Sequence, residues 1–164
     1  ALADFAGVER RFQLRGEAGG VMVVDDYGHH PTEIEAVIAA ARTGFGRRVL
    51  VAFQPHRYTR TSQLTPEFGR ALAGADEIVL TDIYSAGEAP IPGATVESIA
   101  EAVRRETANP VHVVKRLEEV APALADLARP GDLIITLGAG SITTVAALIL
   151  AELERRRAKD PARC

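Results

Sequence analysis

At 164 residues, 47% of them hydrophobic and none of them Trp, the chain has the size and composition of one domain with a packed core, not a disulfide scaffold or a disordered tail. Its formal net charge of −3 lacks the basic excess of a general nucleic-acid binder, and no apolar stretch reaches the roughly 18 residues of a membrane span. The only cysteine, Cys164, can form no internal disulfide and no secretory leader opens the chain, so a reducing, cytoplasmic setting is expected.

Residues near 11–16 and 21–25 read as strands separated by Gly16-Glu17-Ala18-Gly19-Gly20, a connection short enough to predict an antiparallel hairpin. From Pro31 to about Arg42, Ile34, Val37, Ile38 and Ala41 form one helical stripe. Pro31 at the first helical position and Glu33 and Glu35 close behind are start signals, and Thr43-Gly44-Phe45-Gly46 ends the helix. A strand at 48–53, a helix from about Ser62 to Ala73 and a strand at 77–81 follow, then a Gly- and Pro-rich loop from Tyr84 to Gly93. Val96, Ile99, Ala100 and Val103 mark a helix, Val111 to Val114 a short strand, and Leu117 to Ala128 a helix that Pro122 should kink or restart. Leu133 to Leu137 is the last buried strand. Gly138-Ala139-Gly140 turns into a final helix with Ser141 as N-cap and Ile142, Val145, Ala146, Ile149 and Leu153 as its buried stripe.

This alternation predicts an α/β fold: a Rossmann-like, doubly wound, mostly parallel sheet of about six strands with helices on both faces and an antiparallel first strand. Residues 1–10 contain no complete element and read as the stub of a preceding connection, leaving 11–164 as the domain.

Two polar clusters sit directly after apolar runs and together hold three of the four histidines. The first is Asp25-Asp26-Tyr27-Gly28-His29-His30-Pro31, and the second is Gln54-Pro55-His56-Arg57-Tyr58-Thr59-Arg60. Open α/β sheets bind ligands at the carboxyl ends of their strands, which is where both clusters are predicted to fall. An aspartate there can accept hydrogen bonds from a ribose diol, His29 and Tyr27 can hold a carboxylate or an amine, and Gly28 permits close approach. His30 reads better as the cap of the next helix. Arg57 and Arg60 are spaced to face one anion together, and the guanidinium fork suits carboxylate or phosphate.

Other motifs point to less. Gly138-Ala139-Gly140-Ser141 is equally an anion-binding turn and a close packing of backbone. Arg155-Arg156-Arg157 reads as a solvated helix end that complements the macrodipole. A metal site drawing on the 25–30 cluster, His56, Asp82 and Glu88 is disfavoured, because adjacent His29 and His30 cannot readily face one ion and two arginines would oppose it; no metal ligand is assigned. No Gly-x-Ser-x-Gly elbow and no phosphate loop of the Gly-x-x-x-x-Gly-Lys-[Ser/Thr] form is present. The residues by themselves leave open a stand-alone nucleotide- or anion-binding module and a metal-dependent phosphoesterase.

The strings Asp25-Asp26-Tyr27-Gly28-His29-His30-Pro31-Thr32-Glu33 and Phe53-Gln54-Pro55-His56-Arg57-Tyr58-Thr59-Arg60-Thr61 resemble the C-terminal domain of the bacterial Mur ligases, especially the branch that joins L-alanine to UDP-N-acetylmuramate. The stretches Gly7 to Gln13, Tyr84 to Gly93 and Leu137 to Ile142 carry the same resemblance. It implies an enzyme of three domains in cytoplasmic peptidoglycan precursor synthesis, with ATP and Mg²⁺ bound mainly by a central domain that precedes this one. ATP would activate the muramyl carboxylate as an acyl phosphate, which the amine of L-alanine then attacks. By position, Arg11 and Asp26 look like nucleotide contacts, Asp26 on the ribose. Tyr27, His29, His56, Arg57 and Arg60 look like the set that holds the alanine, with the arginines on its carboxylate. The resemblance assigns no catalytic residue to this segment, which alone is expected to lack ligase activity.

Overall fold

The computed structural model describes residues 10–159. The expected stub therefore lies outside the described residues apart from Arg10, as does Cys164. In chain order the elements are β1 (Gln13–Ala18), β2 (Val21–Asp26), α1 (Pro31–Phe45), β3 (Val49–Phe53), α2 (Tyr58–Leu72), β4 (Glu77–Leu80), α3 (Val96–Glu106), β5 (Val111–Val113), α4 (Leu117–Leu127), β6 (Leu133–Leu137), a 3₁₀ turn (Ser141–Thr144) and α5 (Val145–Lys159).

They build one six-stranded sheet in the order β1-β2-β6-β3-β4-β5, antiparallel only between β1 and β2. Every residue of β3 and β6 is buried, as expected of parallel strands covered on both faces. On one face Val51, Phe53 and Ile135 meet Ile34 and Ile38 of α1, Phe68 and Leu72 of α2 and Ile99 of α3. On the other, Leu50, Ala52 and Ile134 meet Val120 and Leu124 of α4 and Val145 and Ile149 of α5. No helix among the described residues is long and apolar enough to cross a membrane.

The register positions the site. Asp26 lies opposite Leu137, Leu137 opposite Phe53, and Phe53 opposite Leu80, so β2, β6, β3 and β4 end flush. The segments that follow β2 and β3 are separated only by β6 and leave the sheet on the same rim.

The doubly wound architecture is as the sequence predicts; the differences are local. β1 continues through Gly16 with a bulge after Leu14, and only Gly19-Gly20 turns the hairpin. Both have positive φ, 58° and 74°, the condition of a type I′ turn. Helix α1 starts with a capping box in which His30 accepts from the Thr32 N–H and Glu33 accepts from the His30 N–H. It ends at Gly46 in the left-handed region, φ 59°. Helix α2 begins at Tyr58 rather than Ser62 and is kinked at Leu64, where Pro66 lacks an N–H and crowds the Ser62 carbonyl. Contrary to expectation, α4 runs through Pro122. That proline and Glu118, whose carbonyl loses its donor, are exposed, so water can replace the missing bond. Ser141 does not cap the last helix: it opens the 3₁₀ turn before α5, a turn whose cap residue is Gly140, and its hydroxyl meets Gln54. Arg155 and Arg156 are more than a solvated end, since both grip Glu152 and Arg156 also reaches Asp126 of α4. Their hydrogen bonds pull the Glu152 carboxyl down to about 2.

Candidate functional site

The two aspartates at the end of β2 have separate partners. Asp25 is fully buried and accepts from the Thr136 hydroxyl at 2.7 Å, the Thr143 hydroxyl at 3.0 Å and Nε of Arg10 at 3.0 Å. Arg10 also donates to the Gly138 carbonyl at 2.7 Å and lies 5.2 Å from the centre of the Tyr27 ring. This integrated role for Arg10 is missed by the sequence reading. The signal was available: a carboxylate in an apolar strand needs a cation, and the hairpin register brings the residues before Gln13 to Asp25. Asp26, 5% exposed, accepts from the Phe12 N–H at 2.6 Å and the Gly28 N–H at 2.7 Å. Each oxygen thus takes one backbone donor and keeps lone-pair capacity for a further one. A Cβ on Gly28 would come within 2.9 Å of the Asp26 carboxylate, so glycine is needed at that turn.

Beyond the aspartates a row of rings crosses the rim. Tyr27 meets His29 edge-on at 5.0 Å, His29 meets His56 at 5.8 Å, and His56 stacks on Tyr84 at 5.4 Å. His29 belongs to the loop after β2 and His56 to the loop after β3, so the two clusters share one crevice. His29 Nδ1 donates to the Tyr27 carbonyl at 3.0 Å, which leaves Nε2 free to face a ligand. Arg60 donates to the His56 carbonyl at 3.3 Å, and its guanidinium lies 3.5 Å from His56 Nδ1. A guanidinium only donates, so Nδ1 is the bare nitrogen of His56 and Nε2 carries the hydrogen.

Electrostatics fix the state of this row. Partial burial, then the neighbouring His29 imidazole and the positive charges of Arg60 and Arg57, push the His56 imidazole below its ordinary range against the opposing pull of Glu88. His56 is therefore a neutral hydrogen-bond donor at pH 7. Burial pushes the Glu33 carboxyl up, but the His29 and His30 N–H groups, with His29 and Arg11 nearby, hold it below the usual carboxylate range. Removing the Arg60 charge takes away a repulsion of imidazolium, so Arg60→Ala should raise the His56 midpoint. An NMR titration of the imidazole resonances checks this; an unmoved or lowered midpoint refutes it.

Tyr27, His29, His56 and Arg60 are thus brought together. Arg57 sits at the start of α2 but faces Glu88 of the loop after β4, with Nη1 3.8 Å from the carboxylate. Arg11 is exposed at the rim near Glu33 and joins no ring. The glycine turn resolves toward packing. A Cβ on Gly140 would come within 2.6 Å of the Tyr84 ring, and one on Gly138 within 2.9 Å of the Gln54 carbonyl. The Ile142 N–H that such a turn would offer an anion is taken by Gln54 Oε1 at 3.0 Å.

Among the described residues no three His, Cys, Asp or Glu side chains are grouped as metal ligands. Glu88 is engaged by the Thr59 N–H and hydroxyl, at 3.0 and 2.7 Å. A cavity of about 820 Å³ opens at the opposite rim between the ends of α4 and α5 and includes none of these side chains. The ring row is an open ledge with Tyr27 and Tyr84 each about 40% exposed. Such a surface can hold a small ligand through a cation, a neutral imidazole N–H and an imidazole acceptor; it does not enclose one.

Residues 10–140 match the family model described as Mur ligase, glutamate ligase domain. The UDP-N-acetylmuramate–L-alanine ligase of Anaeromyxobacter sp. (strain Fw109-5) is 57% identical over 154 residues, which is 94% of this chain and 33% of that protein. The enzyme of the same name from Anaeromyxobacter dehalogenans (strain 2CP-C) is 56% identical over 155 residues, 94% of this chain and 34% of its own length. The chain thus spans about a third of the length of these curated relatives. The crystal structure of UDP-N-acetylmuramate-alanine ligase from Thermotoga maritima superposes with a TM-score of 0.74 at 26% identity, covering 95% of this chain and 32% of that one. With its sheet, its strand-end clusters and most of its length matched, the chain belongs to the Mur ligase family.

Proposed function

We propose that this domain holds the amino acid in an ATP-dependent ligase that joins L-alanine to UDP-N-acetylmuramate in cytoplasmic peptidoglycan precursor synthesis. The observation that carries the reading is the contact between His29 and His56 with Arg60 beside it, which joins both strand-end clusters in one crevice. The high identity to ligases of that name supports the choice of substrates.

An amino acid must be held by its carboxylate while its amine stays free to attack. Arg60, backed by His56, supplies a fixed cation for that carboxylate, and Arg57 borders the same helix start. The His56 N–H adds a neutral donor. His29 Nε2 and the Tyr27 hydroxyl face the amine end as acceptors. Positioning of this kind lowers the barrier by removing the entropy of encounter.

ATP, when bound, supplies the phosphoryl group that activates the sugar carboxylate. Asp26 fits a ribose contact because its oxygens retain lone-pair capacity, and exposed Arg11 fits a phosphate or the diphosphate edge of a nucleotide. Mg²⁺ and the phosphate loop are assigned to a central domain, which residues 1–10 would join to residues 11–164. With an N-terminal sugar-binding domain they complete the enzyme, and this domain closes over them as a lid. The open ledge suits a site whose other wall is supplied on closure.

In the full-length ligase, Arg60→Ala should raise the KM for L-alanine about 10- to 100-fold, the loss expected for one or two charge-assisted hydrogen bonds. The KM for ATP should change less than about twofold, since uniform binding of one substrate is being removed. Steady-state kinetics with each substrate varied in turn decide it. Unchanged KM for L-alanine and unchanged kcat overturn the assignment.

A further inference from the structure

Helix α2 starts without a cap of its own. Arg57, its N-cap residue, has φ 75° and ψ 137°, a conformation that side chains other than glycine rarely adopt, and its side chain caps nothing. The missing cap comes from another loop. Glu88 accepts from the Thr59 N–H through one oxygen and the Thr59 hydroxyl through the other, and the same carboxylate faces Nη1 of Arg57 at 3.8 Å. The backbone supports this docking: the Arg57 N–H donates to the Tyr84 carbonyl and the Tyr84 N–H to the Pro55 carbonyl, both at 2.8 Å. Loop 84–93 thus carries Tyr84, which stacks on His56, and Glu88, which faces Arg57.

We propose that Glu88 is a positioning residue for the amino-acid site: it docks this loop onto the start of α2 and sets the Arg57 guanidinium for the substrate carboxylate. This rests on the amino-acid reading above. Half-exposed Arg57 has many rotamers of similar energy, and a fixed carboxylate beside it narrows that set. Because Glu88 also neutralises the helix start, the strained Arg57 backbone is held by the element that aims its side chain.

The test uses the full-length ligase. Glu88→Gln keeps an acceptor for the Thr59 N–H and a polar group for its hydroxyl, and removes the charge, which faces both Arg57 and the helix start. It should raise the KM for L-alanine about threefold to fivefold, the effect of an exposed ion pair, with little change in Tm, kcat or the KM for ATP. In an Arg57→Ala background the same change should add nothing. Thr59→Val weakens the cap but leaves the charge, so it should lower Tm and spare the KM. If Arg57→Ala raises the KM and Glu88→Gln does not, the positioning role is overturned while the amino-acid reading stands. Additive effects, or an equal KM rise from Thr59→Val, likewise overturn it, since the cap alone would then explain the result. If Arg57→Ala itself leaves the KM unchanged, the place of Arg57 in the site fails and this inference fails with it.

Discussion

Asp25→Ala is expected to destabilise the domain by about 3–4 kcal/mol, because removing one member of a buried ion pair strands its partner. The carboxylate is fully buried and has three donors: Arg10 and the hydroxyls of Thr136 and Thr143. Arg10 is 21% exposed on its side chain and can recover part of its hydration, which keeps the cost below the upper end of the range. Thr136 is wholly buried and cannot. For a domain of this size the loss corresponds to a Tm lower by roughly 10 °C. Asp25→Asn should also destabilise, since its amide N–H₂ faces groups that themselves donate. Thermal unfolding followed by circular dichroism measures both; a drop of under about 2 °C for the alanine variant would mean that the triad of donors is not what secures this rim.

A comparable loss, about 4 kcal/mol, should follow Phe68→Ala. The ring is fully buried and lies 5.2 Å from that of Phe53 in the central strand β3. The size of the effect depends on whether neighbours can fill the gap, and here they are held apart. At the next residue, Gly69, an added Cβ would come within 2.8 Å of the Ala102 backbone, so α2 and α3 already touch main chain to main chain. The cavity should therefore persist. Because α2 bends at Leu64, between Phe68 and Arg60, the KM for L-alanine in the full-length variant should stay within about twofold at temperatures below its Tm. Denaturant unfolding and steady-state kinetics test the two halves of this expectation.

What could be read from the residues depended on how local the cause was. The stripes of α1 and α3 and the continuous apolar runs of β3 and β6 are local patterns, and the fold followed from them. The start of α2 was misplaced because Tyr58-Thr59-Arg60 is polar and its cap, Glu88, arrives from a distant loop. Pro66 and Pro122 obey the same rule with different outcomes, since one bends its helix and the other sits on an exposed face. At the rim, His29 and His56 were legible as strand-end residues. The glycine turn was ambiguous because anion binding and close packing ask for the same residues; only Tyr84 and Gln54, brought in by other strands, decide between them.

The reversed direction of β1 has a consequence for how the domain can be driven. Gln13 pairs with Asp25, so the polypeptide reaches the sheet at the edge that bears the imidazoles rather than at the far edge. Arg10 fastens that approach through Asp25 and Gly138 and lies against Tyr27. A neighbour joined at this point would swing about a pivot beside the proposed amino-acid site, so with so short a lever arm a rotation there would turn the facing wall with little translation.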